Sequence, residues 1–311
     1  MGDTREAPQD AEPSRAKVWL ITGCSSGFGR SLVPAILARG DKVIATARRI
    51  SDLSHLKDVK NVETIQLDVT APKEVIRNKV EEAIAHMGTI DVLVNNAGYV
   101  LSGVWEELSD EDVKQQFEVN LFGALNLTSV VLPKMRTKRS GTILFLGSIA
   151  GWHGVAAGGP YSASKSALEG AVECLAKEVQ PIGIRVHIFV LGQFRTNILA
   201  AKNKKGILDA EQGIAEYATI KRQIADIHAV TQAAQPGDPS LAVERMLDIA
   251  RLENLTERQV NNLSLRIPIG SDAVDIMRRK SLETLESLDN WVDFSCSTDF
   301  LDTKALPSYY R

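Results

Sequence analysis

The stretch "KVWLITGCSSGFGRSLVPAILARG", residues 17–40, decides the fold. Its opening, "KVWLIT" (17–22), is a short apolar and β-branched run, the pattern of a buried strand. Its close, "RSLVPAILARG" (30–40), has helical periodicity and stops at Gly40. Between them lie Gly23, Gly27 and Gly29, spaced G-x-x-x-G-x-G. Glycine lets a backbone turn tightly and approach a ligand with no Cβ in the way. A helix that starts directly after such a turn offers its positive end to an anion such as a pyrophosphate.

The alternation continues outward from this unit. "KVIATAR" (42–48), "VETIQLDV" (62–69), "IDVLVNNAG" (90–98), "GTILFLGS" (141–148), "IRVHIFVLG" (184–192) and "NLSLRIPIG" (262–270) read as further strands. Helices are predicted up to about Met87, from Asp110 to Met135, through the segment carrying Tyr161, from Pro239 to Leu252, and over 271–291 with Ser271 as N-cap. Apolar strands alternating with helices imply an α/β fold, a parallel sheet of about seven strands covered on both faces. Right-handed crossovers wind such a sheet doubly, Rossmann-fashion, and ligands bind beyond the carboxyl ends of its strands. The expected organisation is a disordered leader over 1–15, one domain over 16–291 with a polar, substrate-side insertion at 196–236, and a tail at 292–311.

Composition excludes several classes. The 311 residues are 44% hydrophobic, enough for a sizeable core, and carry a net charge of −3. With a pI of about 6.0, general nucleic-acid affinity is not expected. Cys24, Cys174 and Cys296 are far apart, with no metal-ligand spacing, which fits a reducing compartment and no metal. The start, "MGDTREAPQDAEPSRAK", has neither the apolar run of a secretory signal nor the basic character of a transit peptide, and Glu6 stands where myristoylation needs Ser or Thr. No run approaches the ~18 apolar residues of a membrane span. The expectation is a cytoplasmic protein acting on a small molecule.

"YSASK" (161–165) places Tyr161 and Lys165 four apart, hence on one helix face. A neighbouring ammonium favours the phenolate and lowers its pKa from about 10. Taken alone, the pair reads sooner as a solvated helix start, because Y-x-x-x-K is common by chance. It does not stand alone: "TGCSSGFG" (22–29), "NNAG" (95–98) and "GSIAG" (147–151) precede it, Ser148 lies 28 positions after Asn120, and Tyr161 lies 13 after Ser148. In order and spacing these motifs resemble the short-chain dehydrogenase/reductase family over residues 17 to 200. Within it, the chain is similar to single-domain NADP-dependent oxidoreductases of the 17β-hydroxysteroid dehydrogenase kind, in a fungal or bacterial style.

The resemblance implies a catalytic set. Tyr161 would be the general acid of carbonyl reduction, or the base of the reverse reaction. Lys165 would lower the tyrosine pKa and hold the nicotinamide ribose, Ser148 would orient the substrate oxygen, and Asn120 would hold a water through which Lys165 exchanges protons. Read by itself, Asn120 is a helix-kink residue. The cofactor would be gripped by Thr22, Gly23, Ser25, Ser26, Gly27, Phe28 and Gly29, by Asn96, Ala97 and Gly98, and by Tyr161 and Lys165. Asp68 matches the residue that reaches the adenine amino group, with Val69 beside it; alone, an Asp after a strand is a cap.

Cofactor choice has a physical basis. In NAD-selecting sheets an acid ends the second strand and bonds the ribose hydroxyls, whereas an arginine accommodates a 2′-phosphate. Here the strand ends "IATARR", with Ala47 in place of the acid and Arg48 next. A guanidinium pairs with phosphate through forked, charge-assisted bonds, so NADP(H) is expected over NAD(H). Downstream, "VLGQFRT" keeps Gly192, Phe194 and Thr196 to approach the carboxamide and phosphates, but Leu191 replaces the family's proline, which puts the rigidity of that loop in question.

The pocket should be walled by Tyr99, Val100 and Leu101, by 151–160, and by the region after Phe194. Trp152 either contacts a ring or packs in the core; His153 is a possible substrate contact; Lys202, Lys204 and Lys205 read as a solvated loop. Carbonyl reduction on a moderately large apolar substrate, such as a steroid, polyketide or other secondary metabolite, is the leading reading. A non-redox enzyme on the same fold and a nucleotide-binding regulator are the alternatives. Pairing through 110–136 and 160–180, as a homodimer or homotetramer, follows from the resemblance.

Overall fold

The computed structural model describes residues 15–196, 204–205, 209–231 and 234–300. The chain runs β1 (Val18–Ile21), α1 (Gly27–Ala38), β2 (Lys42–Ala47), β3 (Val62–Gln66), α2 (Lys73–Met87), β4 (Val92–Asn95), β5 (Val100–Leu101), α3 (Asp110–Phe117), α4 (Ala124–Lys138), β6 (Gly141–Leu146) and α5 (Gly159–Val179). It continues through β7 (Ile184–Leu191), β8 (Lys204–Lys205), α6 (Ala218–Thr231), α7 (Pro239–Arg251), α8 (Glu257–Asn261), β9 (Arg266–Ile269) and α9 (Ser271–Cys296).

Seven strands form one parallel sheet in the order β3-β2-β1-β4-β6-β7-β9. β1 sits between β2 and β4, with Ile21 opposite Ala45 on one side and Val94 on the other. The strand order therefore reverses beside β1, and the loops after β1 and β4 diverge over a crevice at the carboxyl edge, where this architecture binds ligands. Successive residues of β1 bury opposite faces. Trp19 and Ile21 join the layer that includes α1 and α7, while Val18 and Leu20 join the layer of α2, α4 and α5. This double burial explains why the strands read as continuous apolar runs.

Local boundaries differ from the sequence reading in instructive ways. The first helix opens at Gly27, inside the glycine motif, not at Arg30. The single helix expected over 110–135 is interrupted by a π-helical turn, Glu118–Gly123, between α3 and α4. Ser271 is the first residue of α9 and not its cap: Gly270 takes that place with φ +105, and the helix runs to Cys296, past the predicted boundary at 291. Order begins within the expected leader, since Arg15 pairs with Asp91 at 2.8 Å. In the 196–236 insertion, β8 pairs parallel with β5 and α6 follows. Residues 1–14 and 301–311, and Lys202 with the side chains of Lys204 and Lys205, lie outside the described residues. Among the described residues, no helix is long and apolar enough to cross a membrane, and no His/Cys/Asp/Glu cluster has metal-binding form.

Candidate active site

The glycine turn between β1 and α1 is stitched to the loop after β4. Thr22, buried, accepts hydrogen bonds at its hydroxyl from the backbone N–H of Asn96 (3.0 Å) and of Ala97 (2.9 Å). Asn96 returns two bonds, its Nδ2 donating to the carbonyl oxygens of Thr22 (2.6 Å) and Gly23 (3.2 Å). Gly23 has φ +73, a region that favours glycine. At Gly29 a Cβ would meet the Gly23 carbonyl and come within 2.6 Å of Asn96 Nδ2. Ser26, the N-cap of α1, makes no side-chain cap bond, so the first N–H groups of the helix have no partner from the cap. Ser25 and Phe28 lie half-buried beside them, and the Phe28 ring meets Phe194 edge-on at 5.3 Å. The set fits a dinucleotide: a glycine-walled cradle at a helix N-terminus, closed by side chains that hold backbone and leave it open.

At the end of β2, Ala47 is buried and Arg48 exposed. Arg48 has no ion pair among the described residues, whereas Arg49 is committed to Asp52 at 3.0 Å. Of two adjacent arginines, only the first has a free guanidinium. Asp68 Oδ1 accepts from the Thr70 N–H (2.9 Å) and hydroxyl (2.8 Å), a local turn that leaves the other oxygen available. Val69 lies against the π turn: a Cβ on Gly123 would come within 2.7 Å of its Cγ2.

Asn120 sits inside that π turn, buried. Its Nδ2 donates to the Tyr99 carbonyl at 3.1 Å, its Oδ1 accepts from the Tyr99 N–H at 3.1 Å, and Nδ2 also reaches Ser164 Oγ at 3.4 Å. Gly98 passes so close that a Cβ there would lie 3.2 Å from Asn120 Oδ1. Kink residue and site residue are thus the same one: π turns recur at functional sites because they aim a side chain inward that a regular helix would not.

Ser148 caps a short 3₁₀ turn after β6, its Oγ accepting from Ala150 N–H at 3.1 Å. The hydroxyl also lies close enough to the Tyr161 phenol to favour its ionised form. Burial pushes the Tyr161 phenol above its ordinary value, and Ser148 pulls it back only in part. Lys165 is buried one turn further along α5, its Nζ 5.8 Å from the Tyr161 ring centroid and donating to the Leu146 carbonyl at 2.6 Å. Burial lowers the Lys165 ammonium to about 8, against an opposing pull from Glu169. The depression of the Tyr161 pKa that the helical pair implies is therefore not seen in this state; Lys165 is desolvated itself and spends a bond on the strand.

Several residues of this region gave no signal in the sequence. Glu169, one turn beyond Lys165, is buried and accepts from the Trp152 indole N–H at 2.9 and 3.0 Å and from Arg266 Nε at 2.8 Å. Trp152 is thereby tied to α5. Asp272, on the first turn of α9, accepts from the Gln193 N–H at 2.7 Å and closes over Gly192, where its carboxylate occupies the place of any Cβ. Phe194 pairs with Gly237, and Arg195 Nε donates to the Gln235 carbonyl at 2.9 Å. These contacts hold the loop that Leu191, in place of proline, leaves without a rigid residue. Thr196 ends it, half-buried, and Trp105 covers Gly159 beside the start of α5. Val100 and Leu101 are buried in the pairing of β5 with β8, so they form the floor of that wall and not its surface. His153 is exposed.

A doubly wound sheet with a glycine-walled helix N-terminus defines a nucleotide-binding enzyme class. The family model described as short chain dehydrogenase matches residues 17–206. A 3-ketodihydrosphingosine reductase of Bacteroides thetaiotaomicron is 39% identical over 187 residues, 60% of this chain and 67% of that protein. A short-chain dehydrogenase structure from Streptomyces avermitilis, 38% identical, superposes with a TM-score of 0.78 and covers 93% of this chain and 100% of its own. A serine dehydrogenase in closed form, complexed with NADP+, is 26% identical with a TM-score of 0.63, over 81% of this chain and 94% of its own. The chain belongs to the short-chain dehydrogenase family and is an oxidoreductase of the CH–OH class that uses a nicotinamide nucleotide.

Proposed function

We propose that this protein is an NADPH-dependent carbonyl reductase, or the reverse alcohol dehydrogenase, acting on a moderately large apolar substrate. The observation that carries the reading is the convergence of Asn120, Ser148, Tyr161 and Lys165 beside a glycine-walled cradle, with Arg48, which has no ion pair among the described residues, at the end of β2. When bound, the nicotinamide supplies the hydride. The residues that would hold the nucleotide are Thr22 to Gly29 at its phosphates, Arg48 at a 2′-phosphate, Asp68 and Val69 at the adenine, Asn96 to Gly98 at the ribose, and Gly192, Phe194 and Thr196 at the far end.

The chain's own chemistry is proton handling. With its pKa raised, Tyr161 is a neutral phenol at neutral pH and can donate a proton to a substrate oxygen that Ser148 positions by its hydroxyl. Lys165, lowered to about 8, is still mainly protonated at pH 7, and its charge beside the ring stabilises the phenolate left behind. Asn120 holds the backbone of Tyr99 and reaches Ser164, which fixes the wall on which a water would rest. A cytoplasmic location and a homo-oligomeric state belong to the same reading and rest on the family resemblance alone. The NADP+-bound serine dehydrogenase supports the nucleotide choice.

The test is calorimetric titration with NADPH and NADH of the wild type and Arg48→Glu. Charge-assisted bonds to phosphate contribute roughly 1.5–3 kcal/mol, so the variant should lose about 10- to 100-fold in NADPH affinity and little for NADH. Equal affinity of the wild type for both nucleotides would refute the NADP reading. Reduction of apolar ketones, abolished in Tyr161→Phe, would then establish the chemistry.

A further inference from the structure

From Arg278 to Cys296 every residue of α9 is exposed, and Ala273 is the one buried residue of the helix. This is nonetheless an amphipathic helix. Leu282, Leu285, Leu288 and Val292 are 60%, 58%, 61% and 52% exposed. At about 100° per residue they fall on one stripe ~120° wide, the width a helix normally hides against a partner. No described residue of the same chain hides it.

The charges along the helix say what does. Arg278, Arg279 and Lys280 lie before the stripe's centre; Glu283, Glu286, Asp289 and Asp293 lie around and after it. Arg279 and Lys280 reach Glu283 only at 4.0 and 3.9 Å, and Arg278, Glu286, Asp289 and Asp293 have no ion pair among the described residues. A second α9 laid parallel would set cations on cations and acids on acids. Laid antiparallel about a two-fold axis at Leu285, it brings Arg278 and Arg279 level with residues 292 and 291 of the other copy, between Asp289 and Asp293. Leu282 then faces Leu288, and Leu285 its own equivalent. A surface that is complementary to itself in this way is what an isologous two-fold contact requires.

We propose that α9 is a dimerisation arm, through which two copies of this chain associate by antiparallel pairing of Leu282, Leu285 and Leu288, with arginine–aspartate pairs at either end of that seam. The contact is on a different element from the α4 and α5 faces that the family resemblance points to, and it does not depend on the catalytic reading.

Sedimentation and light scattering of the full-length protein over a dilution series test it. Leu285→Glu, which sets two carboxylates on the axis, should halve the particle mass while leaving circular dichroism and nucleotide binding unchanged. R278E/R279E and D289R/D293R should each show the halved mass alone, and an equimolar mixture of the two should recover the wild-type mass. An unchanged mass in Leu285→Glu overturns the proposal. So does failure of the mixture to recover, which would mean the helices do not pair antiparallel. Co-sedimentation of the wild type with anionic phosphatidylserine vesicles, with particle mass unaffected by Leu285→Glu, would assign the stripe to a lipid surface and also overturn it.

Discussion

Replacing Lys165 by methionine should make the nucleotide-free protein more stable at pH 7 and less advantaged as pH rises. The Lys165 ammonium titrates at about 8 in the fold against an ordinary 10.5. At ~1.4 kcal/mol per pH unit, that gap amounts to ~3 kcal/mol held against the folded state when lysine is protonated in both states. The lowered pKa means that the unfolded chain binds more protons between pH 8 and 10.5, so wild-type stability rises with pH across that window. Methionine removes the charge and keeps the packing volume, but leaves the Leu146 carbonyl without its donor, which costs about 1 kcal/mol. The variant should therefore be roughly 2 kcal/mol more stable at pH 7. By pH 9.5 about 2 kcal/mol of the wild type's penalty has gone, and the two proteins should be nearly equal. Urea unfolding of both at the two pH values reads the difference, in which other titrating groups cancel. The variant should reduce no carbonyl at either pH. A stability difference that does not change between pH 7 and 9.5 would refute the burial of a charged Lys165 and the acid–base role built on it.

Four further outcomes follow from the contacts. Gly29→Ala forces a Cβ into the Gly23 carbonyl and Asn96, so it should abolish detectable nucleotide binding and lower stability by about 1–3 kcal/mol, read by calorimetry and unfolding. Glu169→Gln removes the charge that opposes the desolvation of Lys165, so the alkaline fall of the reduction rate should move to lower pH while the Trp152 fluorescence changes little, the amide oxygen still accepting from its indole. Asp272→Ala frees the Gln193 backbone N–H and the Gly192 loop, and should raise the KM for nucleotide several-fold with a smaller effect on kcat. Tyr161→Phe should leave nucleotide affinity within about twofold and abolish turnover, measured by titration and by absorbance of the reduced nicotinamide.

How much of this was legible in the sequence depends on the length scale of the interaction. The sheet was, because strands buried on both faces must be apolar throughout, as in "KVWLIT" and "IRVHIFVLG", both of which run into a glycine. Asn120, Ser148, Tyr161 and Lys165 were singled out through the family resemblance, and the structure brings them to one region. Glu169, Asp272 and Gln235 were not: each acts on a residue up to 97 positions away, and neither a buried carboxylate nor a loop glutamine has a local pattern. The raised Tyr161 pKa was missed for a related reason. Helical spacing fixes that Lys165 is near, but desolvation, the larger effect, depends on everything packed around α5. The helix break was legible only as a kink at Asn120; its π form was not, because what holds it is the pair of bonds between Asn120 and the backbone of Tyr99.

That break has a consequence for how the two halves of the predicted helix are phased. A π turn carries one residue more than an α turn, so α4 is rotated by about 100° relative to a straight continuation of α3. Gln116 can then point at the β5 side, donating to Tyr99 O and accepting from Leu101 N–H, while Leu127, Val131 and Met135 still turn onto the sheet. One uninterrupted helix could satisfy one of these surfaces but not both. The extra residue works as a gear between two packing faces, and winding 118–123 as regular α-helix with every residue kept would put each side chain beyond it out of mesh.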